Sequence, residues 1–333
     1  MSRLATFFAL AALVSVAAAP AAPEPAEARS LRVGGTPLQV VAESGSLWVL
    51  TCDRGCSGEA RDSVGRIVRI DPRRGRVIDS VKLRDPGALA VGAGGVFATD
   101  FWRNTVRRFD PATLEPAATL GLVLPYQVVP GDDAFAPFDV AVGAGAVWVS
   151  TARGAVARID RGARRVVAVV RLPLESTASV AAGERAVWVA AGLDGIYRID
   201  PATNRVVARI RVGPADRRLD VERLALGAGH VFAPGAWVNG LAFAGGNGLA
   251  RLDERNNRLE SVTPLPSGPL AIAFGEGSLW VARIGGSQVE RIDASTGKVV
   301  GRFRADVGMA LAVAGGGLWT ATRDGSIRRV AIP

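Results

Sequence analysis

The stretch that decides the fold is residues 137–172, PFDVAVGAGAVWVSTARGAVARIDRGARRVVAVVRL. It holds four short apolar runs, each closed by a turn signal. Val140–Val142 ends at Gly143-Ala144-Gly145, and Val147–Ser150 ends at Ala152-Arg153-Gly154. Val156–Ile159 ends at Asp160-Arg161-Gly162, and Val166–Leu172 ends at Pro173. Runs of this length, rich in Val, Ile and Trp and punctuated by Gly and Asp, read as antiparallel strands joined by hairpins. The same succession of signals recurs six more times, so the chain is a repeat array.

Working outward, Trp148 has counterparts at Trp48, Phe97, Trp188, Phe232, Trp280 and Trp319, and Asp160 at Asp71, Asp110, Asp200, Asp253 and Asp293. The units run Leu38–Leu83, Ala88–Leu124, Pro137–Leu172, Ser179–Val212, Arg223–Leu265, Ala271–Ala305 and Ala310–Ile332. A long loop, Thr51–Gly65, interrupts the first unit, an insertion at 121–137 follows the second, and Pro234–Asn247 reads as an expanded loop in the fifth. The seventh unit ends after its third strand. Leu31-Arg32-Val33-Gly34 is similar to Ile210-Arg211-Val212-Gly213, a fourth strand, and stands just before the first unit. An open array would leave two sheet edges and two faces uncovered, whereas a ring covers them. The expectation is an all-β, seven-bladed β-propeller of four-stranded antiparallel blades, closed by an N-terminal strand that completes the last blade.

At the N-terminus, Arg3 precedes an apolar run from Leu4 to Ala19 and a Pro/Ala/Glu-rich stretch to Ala28. A basic start, a short apolar core and small residues before a cut read as a secretory signal over residues 1–28. The single propeller domain then spans 29–333, and the protein is expected to be exported, to the periplasm or the outside of the cell. The apolar run is too short to span a bilayer comfortably, and no transmembrane segment is expected in the mature chain. Cys52 and Cys56 sit in one Gly-containing loop, and in an exported protein a local disulfide is the default reading.

Forty basic against 31 acidic residues give a net charge of +9. Such a surplus suits anionic partners, nucleic acid or envelope polymers. Only Lys82 and Lys298 are lysines, however, and no long basic run forms a tail, so a compositional bias toward arginine explains the surplus as well. The Gly-x-Gly clusters open onto strands rather than helices, which makes them hairpin turns and not dinucleotide sites. The repeated Asp residues begin turns whose backbone N–H groups they can accept. His230 is the single histidine and lies in a turn between first and second strands. No Ser/His/Asp set and no multi-histidine metal site can be built around it, and no cofactor is expected.

The hydrophobic-Ala-hydrophobic-Gly, Leu/Val-Trp-Val-Ala/Ser and Arg-Ile-Asp-Pro blocks resemble the exported propellers of the YVTN and streptogramin-lyase-like group, over about residues 30–332. The resemblance implies the same ring fold. Streptogramin lyases act through a histidine and a magnesium ion, which His230 does not match; YVTN-type propellers include binding proteins. Three readings follow. The first is a non-enzymatic propeller binding a ligand or protein partner. The second is a metal-assisted lyase, and the third a binder of nucleic acid or anionic envelope polymers.

In an antiparallel blade, the loops from strand two to three and from blade to blade emerge on one face. The first-strand entry positions ringing the channel there are Gln39, Ala88, Asp139, Ser179, Arg223, Ala271 and Ala310. Gln39, Asp139, Ser179 and Arg223 break the alanine pattern and are candidate ligand contacts. The same face receives Asp100, Trp102 and Arg103, Trp237 and Asn239, and Tyr126 and Asp132 of the insertion. Off-register aromatics beside charged groups on rigid strand ends suit recognition.

Overall fold

The computed structural model describes residues 30–55, 62–122, 136–152, 154–173, 179–239, 242–285, 287–322 and 324–332. Every regular element among them is a β-strand. The strands form seven antiparallel sheets, and in blades one to four and six the four strands pair in chain order. The first strands touch one another in sequence around the ring, with the seventh returning to the first. They therefore line the central channel.

Closure follows the expectation. Ser30–Arg32 pairs with the last strand of the chain, Ser30 opposite Arg328, Leu31 opposite Ile327 and Arg32 opposite Ser326. Leu31 and Val33 then pack with Ile327 and Trp319 of blade seven and with Val40 and Val49 of blade one. The proposed signal segment lies outside the described residues.

Two devices hold blade against blade. The repeat aromatics are all buried to within 1% of full exclusion. Over four of them lies the arginine of the Arg-Ile-Asp block, 5.2–5.7 Å from the ring: Arg69 on Trp48, Arg158 on Trp148, Arg198 on Trp188 and Arg291 on Trp280. Arginines of this block, Arg251 of blade five among them, also reach on to the next blade. Arg69 donates to the Pro111 carbonyl (2.9 Å), Arg158 to the Pro201 carbonyl (2.6 Å) and Asn204 Oδ1 (2.8 Å), and Arg251 to the Ala294 carbonyl (3.2 Å). A planar, always charged fork can stack and donate at once, which a lysine cannot.

The Gly-x-Gly clusters divide two tasks. Ala144-Gly145 and Ala228-Gly229 form the two-residue turns, both residues at positive φ. The preceding glycine is there for close approach: a Cβ on Gly143 would meet the Ala182 carbonyl of blade four at 2.2 Å. The turn aspartates behave as expected. Asp71 accepts the Arg73 and Arg74 amides (2.9 and 3.0 Å), and Asp293 accepts those of Ser295 and Thr296 (3.1 and 2.8 Å).

Blade five departs from the reading of Pro234–Asn247 as a loop. Its second and third strands run on as one long hairpin, His230–Asn239 and Ala242–Asp253, with Pro234 opposite Leu249 and Ala236 opposite Asn247. The first strand is split into Arg218–Val221 and Ala225–Gly227, each paired with a different part of the second. The extension is stable as sheet because Arg218–Val221 gives it a third strand, placing Leu219 beside Trp237.

Candidate ligand-binding face

Pairing slips by one residue just inside the first strand of three blades, between Pro37 and Gln39, Pro137 and Asp139, and Pro269 and Ala271. A bulge of this kind bends the strand and re-aims a side chain. It sets the entry residue at the channel and turns the residue before it onto the rim. Blade two bulges nearby, between Pro86 and Leu89. The proline two residues before Gln39, Ala88, Asp139 and Ala271 was the available signal in the sequence.

A cavity of about 630 Å³ opens where the first strands converge, and Gln39, Asp139, Ser179 and Arg223 all line it. Three of them, Gln39, Asp139 and Ser179, are already engaged between blades. Asp139 Oδ2 accepts the Ser179 hydroxyl (2.9 Å) and the Val180 amide (3.0 Å), while Oδ1 accepts the Val140 amide (2.9 Å). Gln39 Oε1 accepts the Leu89 amide at 2.7 Å. Burial pushes the Asp139 carboxyl above its ordinary value, against the pull of the Val180 amide, the Ser179 hydroxyl and the Arg223 charge. Arg223 itself falls in the break of blade five's first strand, exposed, with no hydrogen-bond or ion-pair partner among the described residues.

Sequence reasoning missed the rim. Phe138 and Met309 line the cavity and are 47% and 48% exposed, and Glu222 joins them. The large exposed apolar side chains fall into two groups: Val77, Ile78, Val167, Val207 and Val300 on outermost strands, and Phe138, Met309, Ile284 and Phe243 on segments of the loop-rich face.

Asp100, Trp102 and Arg103 gather on blade two's loop rather than in the cavity. Arg103 is bonded to Asp85, Asp100 and Asp62, an arrangement that raises its pKa, the Asp85 bond contributing most. Burial raises the Asp100 carboxyl, opposed by its bonds to Arg103. Trp102 meets Phe101 edge-on at 5.2 Å, and Phe101 meets Phe138 at 5.6 Å, so an aromatic chain runs from this loop to the cavity rim. Trp237 is half-buried beneath Arg217, 5.1 Å from its ring, and packs into the blade four–five core. Asn239 is exposed at the end of the same strand. Tyr126, Asp132 and Cys56 lie outside the described residues, and Cys52 is buried in blade one's second strand.

His230 lies at the opposite end of the strands, its Nδ1 2.9 Å from the Ala228 carbonyl and its Nε2 3.2 Å from Glu260, which also pairs with Arg251. Among the described residues no group of His, Cys, Asp and Glu side chains is arranged to hold a metal ion, and no helix is long and apolar enough to cross a membrane.

No protein-family model matches the chain, and no curated protein matches it. The fold is shared with solved propellers of distant sequence. The structure of U3-55K superposes with a TM-score of 0.72 at 11% identity, over 93% of this chain and 100% of that one. Hydrazine synthase of Kuenenia stuttgartiensis gives 0.70 at 13%, over 90% and 96%, and the WD40 repeats of RRP9 give 0.68 at 11%, over 93% and 99%. At such identities the likeness is one of fold.

Proposed function

We propose that the chain is an exported, non-enzymatic propeller of the YVTN and streptogramin-lyase-like kind that binds a ligand or protein partner at the channel mouth on its loop-rich face. The observation that carries this reading is the mouth itself: a cavity of about 630 Å³ bordered by half-exposed Phe138 and Met309 and by exposed Arg223, which has no hydrogen-bond or ion-pair partner among the described residues. Apolar rims with a few convergent polar groups are what recognition sites are made of. The arginine surplus speaks less for a polyanion, because Arg69, Arg158 and Arg251 are spent in tying blades together. The lyase reading loses support from His230, which is held by Glu260 away from the mouth.

A photoreactive amino acid placed at Phe138, and as a control at Val207 on the outermost strand of blade four, tests the site in cells. Cross-linking at 138 that is absent at 207 and is lost in Arg223→Glu supports it. Equal labelling at both positions overturns it. Fractionation of cells expressing the full chain tests export separately.

A further inference from the structure

A second cavity, of about 550 Å³, lies in the cleft between blades six and seven, and it shares no residue with the channel mouth. Two cross-strand pairs face it: Gln288 opposite Arg304 on blade six, and Thr320 opposite Arg328 on blade seven. Ser287 and Asp306 complete its polar lining.

Thr320 is the residue that needs explaining. It follows the repeat tryptophan directly, where blades one, three, four and six carry Val49, Val149, Val189 and Val281. Valine and threonine have the same shape, so packing alone is served by valine. Thr320 is fully buried, and its Oγ1 has no hydrogen-bond partner among the described residues. An unsatisfied buried hydroxyl is costly and calls for a partner that comes from elsewhere.

The neighbours define that partner. Arg328 is paired with Asp324 (2.7 Å) and more loosely with Asp306 (3.8 Å). Arg304 has no partner among the described residues. The cleft thus offers guanidinium and hydroxyl donors, while the carboxylate that lines it already faces Arg328. A donor-rich pocket takes an acceptor-rich group. We infer that the blade six–seven cleft is a binding site for a small oxyanion, the carboxylate or phosphate group of a ligand, held by Arg304 and Arg328 with the Thr320 hydroxyl.

Titration calorimetry of the purified protein with inorganic phosphate and with succinate, at constant ionic strength so that screening is not read as binding, tests this. Saturable binding of either probe is expected, and which one binds tells phosphate from carboxylate. Arg304→Gln, on an exposed strand end, weakens it about tenfold or more. Thr320→Val weakens it about three- to tenfold, while raising the melting temperature of the ligand-free protein. Arg205→Gln, on blade four's outermost strand, leaves binding unchanged. No binding of either probe at tens of millimolar, or equal binding by wild type, Arg304→Gln and Thr320→Val, overturns the site.

Discussion

The Asp139 carboxylate of blade three accepts the backbone amide of Val180 in blade four at 3.0 Å, and Gln39 repeats the relation from blade one to Leu89 of blade two at 2.7 Å. The donating amides stand one residue beyond the entry positions Ser179 and Ala88, so the two clasps are the same device built from different side chains. Where Ala271 and Ala310 occupy the entry position, no side chain can reach across.

Removing a clasp strands a buried amide. Asp139→Ala is expected to cost about 1–3 kcal/mol, and Gln39→Ala about the same or less. Ala271→Ser, at a position without a clasp, costs little. Asp139→Asn keeps an acceptor oxygen and relieves the burial of a charge, so it falls between wild type and alanine. Chemical denaturation of the four variants checks the order. Loss of partner capture in Asp139→Asn with stability intact would give this carboxylate a role in recognition beyond the clasp.

Arg158 stacks 5.3 Å from Trp148 and donates to both Pro201 and Asn204 of the next blade. Lysine retains the charge but cannot stack flat and donate to two acceptors together. Arg158→Lys is therefore expected to destabilise by about 1–2 kcal/mol. Arg164→Lys, in an exposed turn, should stay within about 0.5 kcal/mol of wild type. Equal effects in the two would remove the inter-blade role of the repeat arginine.

The fold could be read from the sequence because the same signals return: a buried aromatic in every blade, a turn aspartate in the first six, and a glycine at the end of the first strand in most. Chain closure was readable for the same reason, since Leu31-Arg32-Val33 is a copy of a fourth strand. The site was harder. Which polar entry residue faces ligand and which faces a neighbouring amide depends on a bulge, and on the distance to the next blade, and neither is written in composition. The sequence marks Phe138 as an ordinary strand apolar until the bulge turns it onto the rim, and Met309 stands there because it precedes the start of blade seven's first strand at Leu311. Trp237 looked free because the Gly- and Ala-rich run around it hides a sheet extension, whose third strand comes from Arg218–Val221.

The turn aspartates make stability depend on acid. Asp293 is held down to about 2 by the Ser295 and Thr296 hydroxyls and then by backbone amides. Asp324 is likewise lowered to about 2, chiefly by the Thr322 hydroxyl. Backbone amides first of all lower Asp71, Asp110, Asp200 and Asp253. A carboxyl whose folded value lies below its unfolded value of 3.8 stabilises the fold above that pH, and the contribution is lost as pH falls toward 2. Asp293→Asn should melt lower than wild type at pH 7, and the gap should narrow between pH 4 and pH 2. A gap that stays constant over that range would show that the charge of Asp293 contributes nothing.

Ring closure rests on three residues. Ser30, Leu31 and Arg32 complete blade seven, and Leu31 and Val33 join a core shared by blades seven and one. Loss of this strand exposes the edge of the last strand and the Trp319 side of the seam together. Deleting residues 30–34 is expected to lower the melting temperature clearly and to speed hydrogen exchange at Ile327 and Arg328 before other blades respond, since edges open first. A milder variant separates pairing from packing. Leu31→Pro removes the ladder donor at the centre of the strand, whereas Leu31→Ala keeps the donor and removes only side-chain contact. If closure works through the ladder, proline is the more damaging of the two, and both leave blades three and four protected. Uniform loss of protection around the ring would show instead that the propeller unfolds as one unit from this seam. An unchanged melting temperature in the deletion would mean that the N-terminal strand does not close the ring.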